Sequence, residues 1–265
     1  MGSRLDAAFR VLKTRGPAAL AGAVGRNLLR RRLPSYAVVK PLIGGASGLE
    51  IGGPSSLFVR HGAFPLYAIA GSIDNVNFSS RTVWSGAAEA GATFHYDDNH
   101  PPGRQYILEA TDLSPIRSGQ YEFLLSSHTL EHLANPLRAL VEWKRTLTHG
   151  GLLVLVVPDK DGTFDHRRPV TTMRHLVEDF ERHTPESDLT HLPEILALHD
   201  LSRDPDAGDF EAFRARGERN IENRCLHHHV FGADLLQAIF DWLDLKPLAL
   251  ERAKPYHIIA AGQRG

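Results

Sequence analysis

Histidines and carboxylates crowd three stretches of this 265-residue chain: His128-Thr129-Leu130-Glu131-His132, the run from Asp159 through His166-Arg167-Arg168, and Asn223-Arg224-Cys225-Leu226-His227-His228-His229. Neutral imidazole titrates near pH 7, which suits a general base or a metal ligand. His128 to His132 formally matches the His-x-x-Glu-His zinc-protease pattern. That pattern belongs on a helix, whereas His128 follows the apolar run Glu122–Ser127 and so ends a strand. A metal hydrolase is therefore not expected. The triple histidine also invites a metal, but successive side chains point in different directions. His227, His228 and His229 are read instead as contacts to a polar substrate, with packing inside the protein as the alternative. Arg167 and Arg168 could grip a phosphate or carboxylate, or could be charges of a surface loop. His95-Tyr96-Asp97-Asp98-Asn99-His100, near Trp84, offers ligand types as well. It also suits a loop over a bound cofactor, because adjacent residues rarely converge on one ion. No metal is expected.

These groups need a frame, and the frame starts at Gly48-Leu-Glu-Ile-Gly-Gly-Pro-Ser55. Leu49 and Ile51 suit a buried strand. Gly52 and Gly53 allow a sharp turn and close approach of a ligand to the backbone. Pro54 fixes the turn, and Ser55 offers a hydroxyl or a cap. Glu50 is a carboxylate inside an apolar strand and must find a partner. The Gly-x-Gly-x-x-Gly dinucleotide fingerprint and the phosphate-loop pattern are both absent, which disfavours an NAD-dependent enzyme.

Further strands are read at Ser72–Val76, Tyr106–Glu109 and Glu122–Ser127. Pro136 opens a helix that Gly150-Gly151 closes. Leu152–Val157 is a continuous apolar run, as expected for a strand covered on both faces. Helical pieces near 171–182 and 206–219, a helix over 233–243 and strands near 246–251 and 256–261 follow.

Glu50-x-Gly52, the strand ending in Ser126-Ser127-His128, Leu130-Glu131-His132 and the Gly150-Gly151 strand together resemble the class I S-adenosylmethionine-dependent methyltransferases, in the branch often called type 11. The resemblance covers roughly residues 47–158 and the C-terminal strand pair. It implies an α/β, Rossmann-like sheet of order 3-2-1-4-5-7-6 and S-adenosyl-L-methionine as cofactor. It implies cofactor contacts from Glu50, Gly52, Gly53, Pro54 and Ser55. Asp74 would end strand two and accept both ribose hydroxyls. Glu109-Ala110-Thr111-Asp112 matches the segment that covers the adenine, and Ser127 lies at the carboxyl end of strand four. In open α/β sheets that end is where ligands bind. Methyl transfer from a sulfonium is an in-line displacement, so the protein mainly orients two reactants. A hydroxyl acceptor also needs a base. His128 is the first candidate, with His166 and Asp159 as rivals, and His132 is read as structural.

The expected organisation is a basic helical extension over 1–40 and a methyltransferase domain over 41–265, with 159–229 as a cap that forms the acceptor pocket. Such a polar cap suits a hydroxylated small molecule, a sugar or a glycan precursor. A non-catalytic cofactor-binding scaffold is the alternative. The net charge of −1 offers no field to recruit nucleic acid, though residues 1–40 hold nine Lys/Arg against Asp6. Arg30-Arg31-Arg32 is read as a solvated face or a contact to an anionic membrane. No apolar run approaches the ~20 residues that span a bilayer, and the start lacks the pattern of a signal peptide. Cys225 is a lone cysteine without a nucleophile motif, which suits a reducing compartment. A cytoplasmic protein, at most peripheral to a membrane, is expected.

Overall fold

The computed structural model describes residues 32–82 and 86–265. Most of the helices expected over 4–33 lie outside that range, as do Arg30, Arg31 and Trp84.

The first described helix, α1 (Pro34–Ile43), runs across the expected boundary at residue 40. It buries Tyr36, Val39 and Ile43 against the sheet. Arg32 stacks its guanidinium on Tyr36, 5.0 Å from the ring centroid. The strands are β1 (Ser47–Ile51), β2 (Ser72–Asn77), the short hairpin β3 (Arg81–Thr82) and β4 (Gly86–Ala87), β5 (Gly91–Phe94), β6 (Gly103–Ile107), β7 (Tyr121–Ser127), β8 (Leu147–Pro158), β9 (Leu245–Ala253) and β10 (His257–Arg264). The main sheet has the order β5-β6-β2-β1-β7-β8-β10-β9. From β6 onward this is the 3-2-1-4-5-7-6 arrangement, with β5 added antiparallel at one edge. β1, β2, β6, β7 and β8 are parallel, and β10 reverses between β8 and β9.

Alternation along the strands builds a core on each face. Leu49, Ile51, Leu124, Leu153 and Leu155 join one cluster, while Phe123, Leu125, Leu152, Val154 and Val156 join the other. The first face is covered by α2 (Pro136–Thr146), which begins with proline and with Asn135 accepting from the Arg138 amide, and by a helix over 233–242. The strand after α2 starts at Leu147, ahead of the two glycines that were expected to close the helix.

The second face is covered differently. No helix follows the glycine turn after β1. Residues 56–70 form successive turns, and Phe58, Phe64, Leu66 and Tyr67 pack into the core where a helix would lie. Between β8 and the C-terminal strands the chain forms α3 (Met173–Glu181), α4 (Leu192–Leu198), α5 (Phe210–Glu218), α6 (Asn220–Asn223) and α7 (Ala233–Trp242). The small apolar cluster of Ile195, Ala207, Phe213 and Leu226 ties α4 to α5. Among the described residues no helix is long and apolar enough to cross a membrane.

Candidate active site

A crevice opens at the carboxyl ends of β1, β2, β6 and β7. Its walls are Ile51, Gly52, Val76, Asn77, Phe78, Leu108, Glu109, Ala110, Thr129, His132, Leu133 and Arg224. It continues past Phe78, Leu108 and Glu109 toward Thr111, Asp112, Arg138 and Glu186. Gly52 has a φ of +81° and its amide donates to Val76 O. A Cβ there would meet Thr129 Oγ1 at 2.3 Å, and one on Gly53 would meet the Glu50 carboxyl at 2.4 Å. Both glycines are therefore required by space as well as by the turn.

Glu50 lies on the opposite face of β1 from Leu49 and Ile51. It is fully buried and does not line the crevice. Tyr67 Oη donates to its carboxyl, 2.9 and 2.8 Å from Oε1 and Oε2. Burial raises its pKa to about 8, against the lowering effect of the Tyr67 hydrogen bond. Its direct contact is thus with the floor of the turn. Pro54 is exposed and Ser55 Oγ bonds Ser127 Oγ at 3.1 Å, so both lie beside the crevice without lining it.

Asp74 is corrected. Ile51 is the register partner of Val76 and the Gly52 amide donates to Val76 O, so strand two ends at Asn77, while Asp74 lies halfway back toward the amino end. Its carboxylate accepts from the Arg104 amide at 2.7 Å and from Tyr121 Oη at 2.7 Å, and Tyr121 is the first residue of β7. The place where a carboxylate would meet a ribose holds Asn77 instead. Counting from the Gly52 turn along a parallel partner would have found it.

Glu109 and Ala110 line the crevice, and Thr111 and Asp112 line its continuation, so this predicted segment stays together. Ala110 O accepts from the buried Trp143 indole at 2.9 Å, which fixes the turn. Arg224, which sequence reasoning did not single out, crosses the opening. It donates to Glu109 at 2.8 Å and Glu186 at 2.7 Å and covers Phe78, 5.1 Å from the ring centroid.

His128 stands at the end of β7 with φ of +52°, a left-handed backbone uncommon outside glycine. Its side chain is 30% exposed. Nδ1 is 3.4 Å from Glu131 Oε1, and Nε2 is 2.9 Å from His257 Nδ1 at the start of β10. Glu131 is wholly buried, and neither carboxylate oxygen has a hydrogen bond among the described residues. Burial works to raise its pKa, but His128, His132 and His227 more than offset that and hold it low. A buried carboxylate thus faces an accessible imidazole across a distance that a small closure would shorten. His257 is driven to about 4 by burial and by His128, so it is neutral near pH 7. His132, read from sequence as structural, lines the crevice and donates from Nδ1 to Leu226 O at 3.1 Å; burial lowers its pKa to about 4.

The rival bases are engaged elsewhere. Asp159 accepts from the Asp161 amide and pairs with Arg252 at 3.2 Å. His166 Nε2 lies 2.9 Å from Asp200, which also pairs with the exposed Arg167 at 3.2 Å. Neither lines the crevice.

Three expected substrate contacts are corrected. Arg168 is 1% exposed and pairs with Asp165 and Glu194 while donating to the His227 and His228 carbonyls. His228 is buried against Asn220 Nδ2 at 3.0 Å, and His229 is buried near Asp179 and Ala134. His227 turns to Asp165. The triplet does diverge, as its spacing required, but inward. The 95–100 segment packs against Arg60, through Asp97 at 2.9 Å, and against Tyr67 through Tyr96, away from the crevice lining.

Residues 82–155 match the family described as a methyltransferase domain. No curated protein matches the chain. Among solved structures, a SAM dependent methyltransferase from Aquifex aeolicus is similar at 10% identity and TM-score 0.43, covering 97% of this chain and 98% of that one. An S-adenosylmethionine dependent methyltransferase from Mesorhizobium loti is similar at 12% and 0.48, covering 87% and 96%. One from Methanosarcina mazei is similar at 14% and 0.48, covering 88% and 99%. Residues 82–155 are thus similar to a methyltransferase domain, and the sheet, from β6 onward, has the strand order expected from the resemblance to the class I enzymes.

Proposed function

We propose that this chain transfers a methyl group from S-adenosylmethionine to a hydroxyl oxygen, with His128 as general base and Glu131 as the carboxylate that orients it. The observation that carries the reading is the pairing of an accessible imidazole with a buried, otherwise unbonded carboxylate at the end of β7, beside a crevice of the right character. The crevice fits the adenosine part of the cofactor. Ile51, Val76, Leu108 and Leu133 give it apolar walls, Glu109 and Asp112 offer acceptors to an exocyclic amine, and Asn77 stands where ribose hydroxyls need a partner. The bound cofactor supplies an activated methyl. The chain's residues orient it, remove the acceptor's proton at His128 and keep the Glu131 side dry. Arg167 and His166, gathered around Asp200, are the remaining exposed polar groups from which the segment 159–229, acting as a cap, would take a sugar or glycan precursor. The basic 1–40 stretch fits a lipid-linked form of such an acceptor at an anionic membrane.

Two departures favour a second reading, a cofactor-binding scaffold without turnover. The turn after β1 leads into no helix, so no helix N-terminus is there for a carboxylate, and strand two ends without an acid.

Calorimetric titration with S-adenosylhomocysteine separates the readings in part, and turnover completes the test. Wild type should bind in the micromolar range and Glu109→Ala more weakly. His128→Gln should keep that affinity and lose 10²–10⁴-fold in turnover, the usual worth of a general base. Binding with no methylation of sugars, phenols or peptides would favour the scaffold. Methylation of amines alone would overturn the oxygen acceptor.

A further inference from the structure

We propose that His175, Asp179, His191 and His229 form a tetrahedral site for a zinc-class divalent ion, which fastens α3, the start of α4 and the 227–231 segment to one another beside the turn after β7. The four residues come from three separate parts of the chain, and one ligand atom from each lies within 4.8 Å of the others. His175 and Asp179 are four apart on α3 and share a face, with Nε2 and Oδ2 3.2 Å apart. His191, just before α4, brings its Nε2 to 3.0 Å from that of His175. His229 Nε2 lies 3.7 Å from Asp179 Oδ2. Four donors held ~2.0–2.1 Å from a tetrahedral ion sit roughly 3.3–3.5 Å apart, and these separations straddle that spacing.

The cluster is incomplete as a set of hydrogen bonds. Asp179 is 8% exposed, and its Oδ2, at the centre of the group, accepts no hydrogen bond among the described residues. His175 and His191 can share only one proton between their facing nitrogens. An ion would supply the positive charge that this carboxylate lacks. Thr184 Oγ1 donates to Asp179 Oδ1 at 3.0 Å and holds the carboxylate in place, as an outer partner of a metal ligand does. The proton that His229 Nε2 now shares with Ala134 O, at 3.3 Å, would be displaced on binding. Three imidazoles and one carboxylate in a closed set favour zinc over calcium or magnesium, which take oxygen ligands. The triplet 227–229 contributes one ligand only, and the other three come from α3 and from the approach to α4. That placement is why the triplet alone did not point to an ion.

The test uses the full chain without a purification tag, stripped by chelation and titrated with zinc against a chromophoric chelator, and separately with cobalt(II). One ion should bind per chain, cobalt should give the visible bands of a tetrahedral site, and zinc should raise Tm. His175→Ala changes a side chain that is 38% exposed, so the fold should survive it. It should abolish the cobalt bands and the zinc-induced shift in Tm. Thr184→Ala should weaken zinc binding about 10–100-fold, while His95→Ala should leave it unchanged. Failure of the stripped wild type to bind zinc at micromolar concentration would overturn the site. So would full binding by both His175→Ala and Asp179→Asn. The readouts are of the metal alone and do not depend on methyl transfer.

Discussion

Two buried carboxylates, Glu50 under the sheet's glycine turn and Asp165 in the segment after β8, have opposite fates. Glu50 meets neutral donors, the Tyr67 hydroxyl and the Ser55 backbone, and burial raises its pKa to about 8. Asp165 is also buried, but His227 and Arg168 more than offset that burial and hold it at about 2. Burial alone therefore does not decide charge. A cation within hydrogen-bond distance does. The same contrast divides the molecule. The sheet is held by two apolar clusters on its faces, whereas the 159–231 segment lends Leu176 and Phe231 to one of these and otherwise has a small apolar cluster of its own and a set of polar pairs, local and long-range.

The sharpest way to break the contrast is to remove the cation. Arg168→Met keeps much of the volume but leaves Asp165 with His227 alone and two carbonyls without their donor. It should cost ~3–5 kcal/mol, the usual loss when one member of a buried pair is deleted. Denaturant unfolding would measure it, and a loss under ~1 kcal/mol would mean that the segment is held another way. The two acids should also give stability opposite pH dependences. Glu50 binds its proton more tightly when folded, so its contribution is full below about pH 4.5 and is lost as pH rises toward 8. The slope should approach ~1.4 kcal/mol per pH unit, and Glu50→Gln should flatten it. Asp165 binds its proton less tightly when folded. Its contribution is full above about pH 3.8 and is lost as pH falls toward 2, and Asp165→Asn should remove that acid limb. Melts from pH 2 to 9 on wild type and the two variants test both signs. At the small end, Arg174→Ala breaks an ion pair to Glu178 whose arginine is 88% exposed, and it should change stability by less than ~0.5 kcal/mol.

The central strands β1, β7 and β8 were legible because they are apolar runs, and burial on both faces leaves a continuous apolar signature, as at Leu152–Val157; the polar β6 was read three residues late, at Tyr106–Glu109 instead of Gly103–Ile107, and β5 was not read at all. Segment 109–112 was singled out by the resemblance, and the structure keeps it together along the crevice. Asp74 was misread because the end of a strand is set by its neighbour. The Gly52 amide donating to Val76 O moves the functional end three residues on, to Asn77. Arg168, His228 and His229 face inward although polar runs usually face water, because they meet partners both near, as Asp165 and Asn220, and 26 to 95 residues away, as Glu194 and Ala134. Arg224 and His257 left no local signal at all.

The sequence by itself determined an α/β alternation and the turn at Gly52-Gly53, because these follow from periodicity, turn chemistry and short-range motifs, while the strand order came only from the resemblance those motifs carry. Only the tertiary structure decided which polar side chains are buried, which carboxylate is charged and which histidines converge. Those depend on pairings between distant residues, and a charged or hydrogen-bonding group reads the same in a sequence whether its partner is water or another side chain.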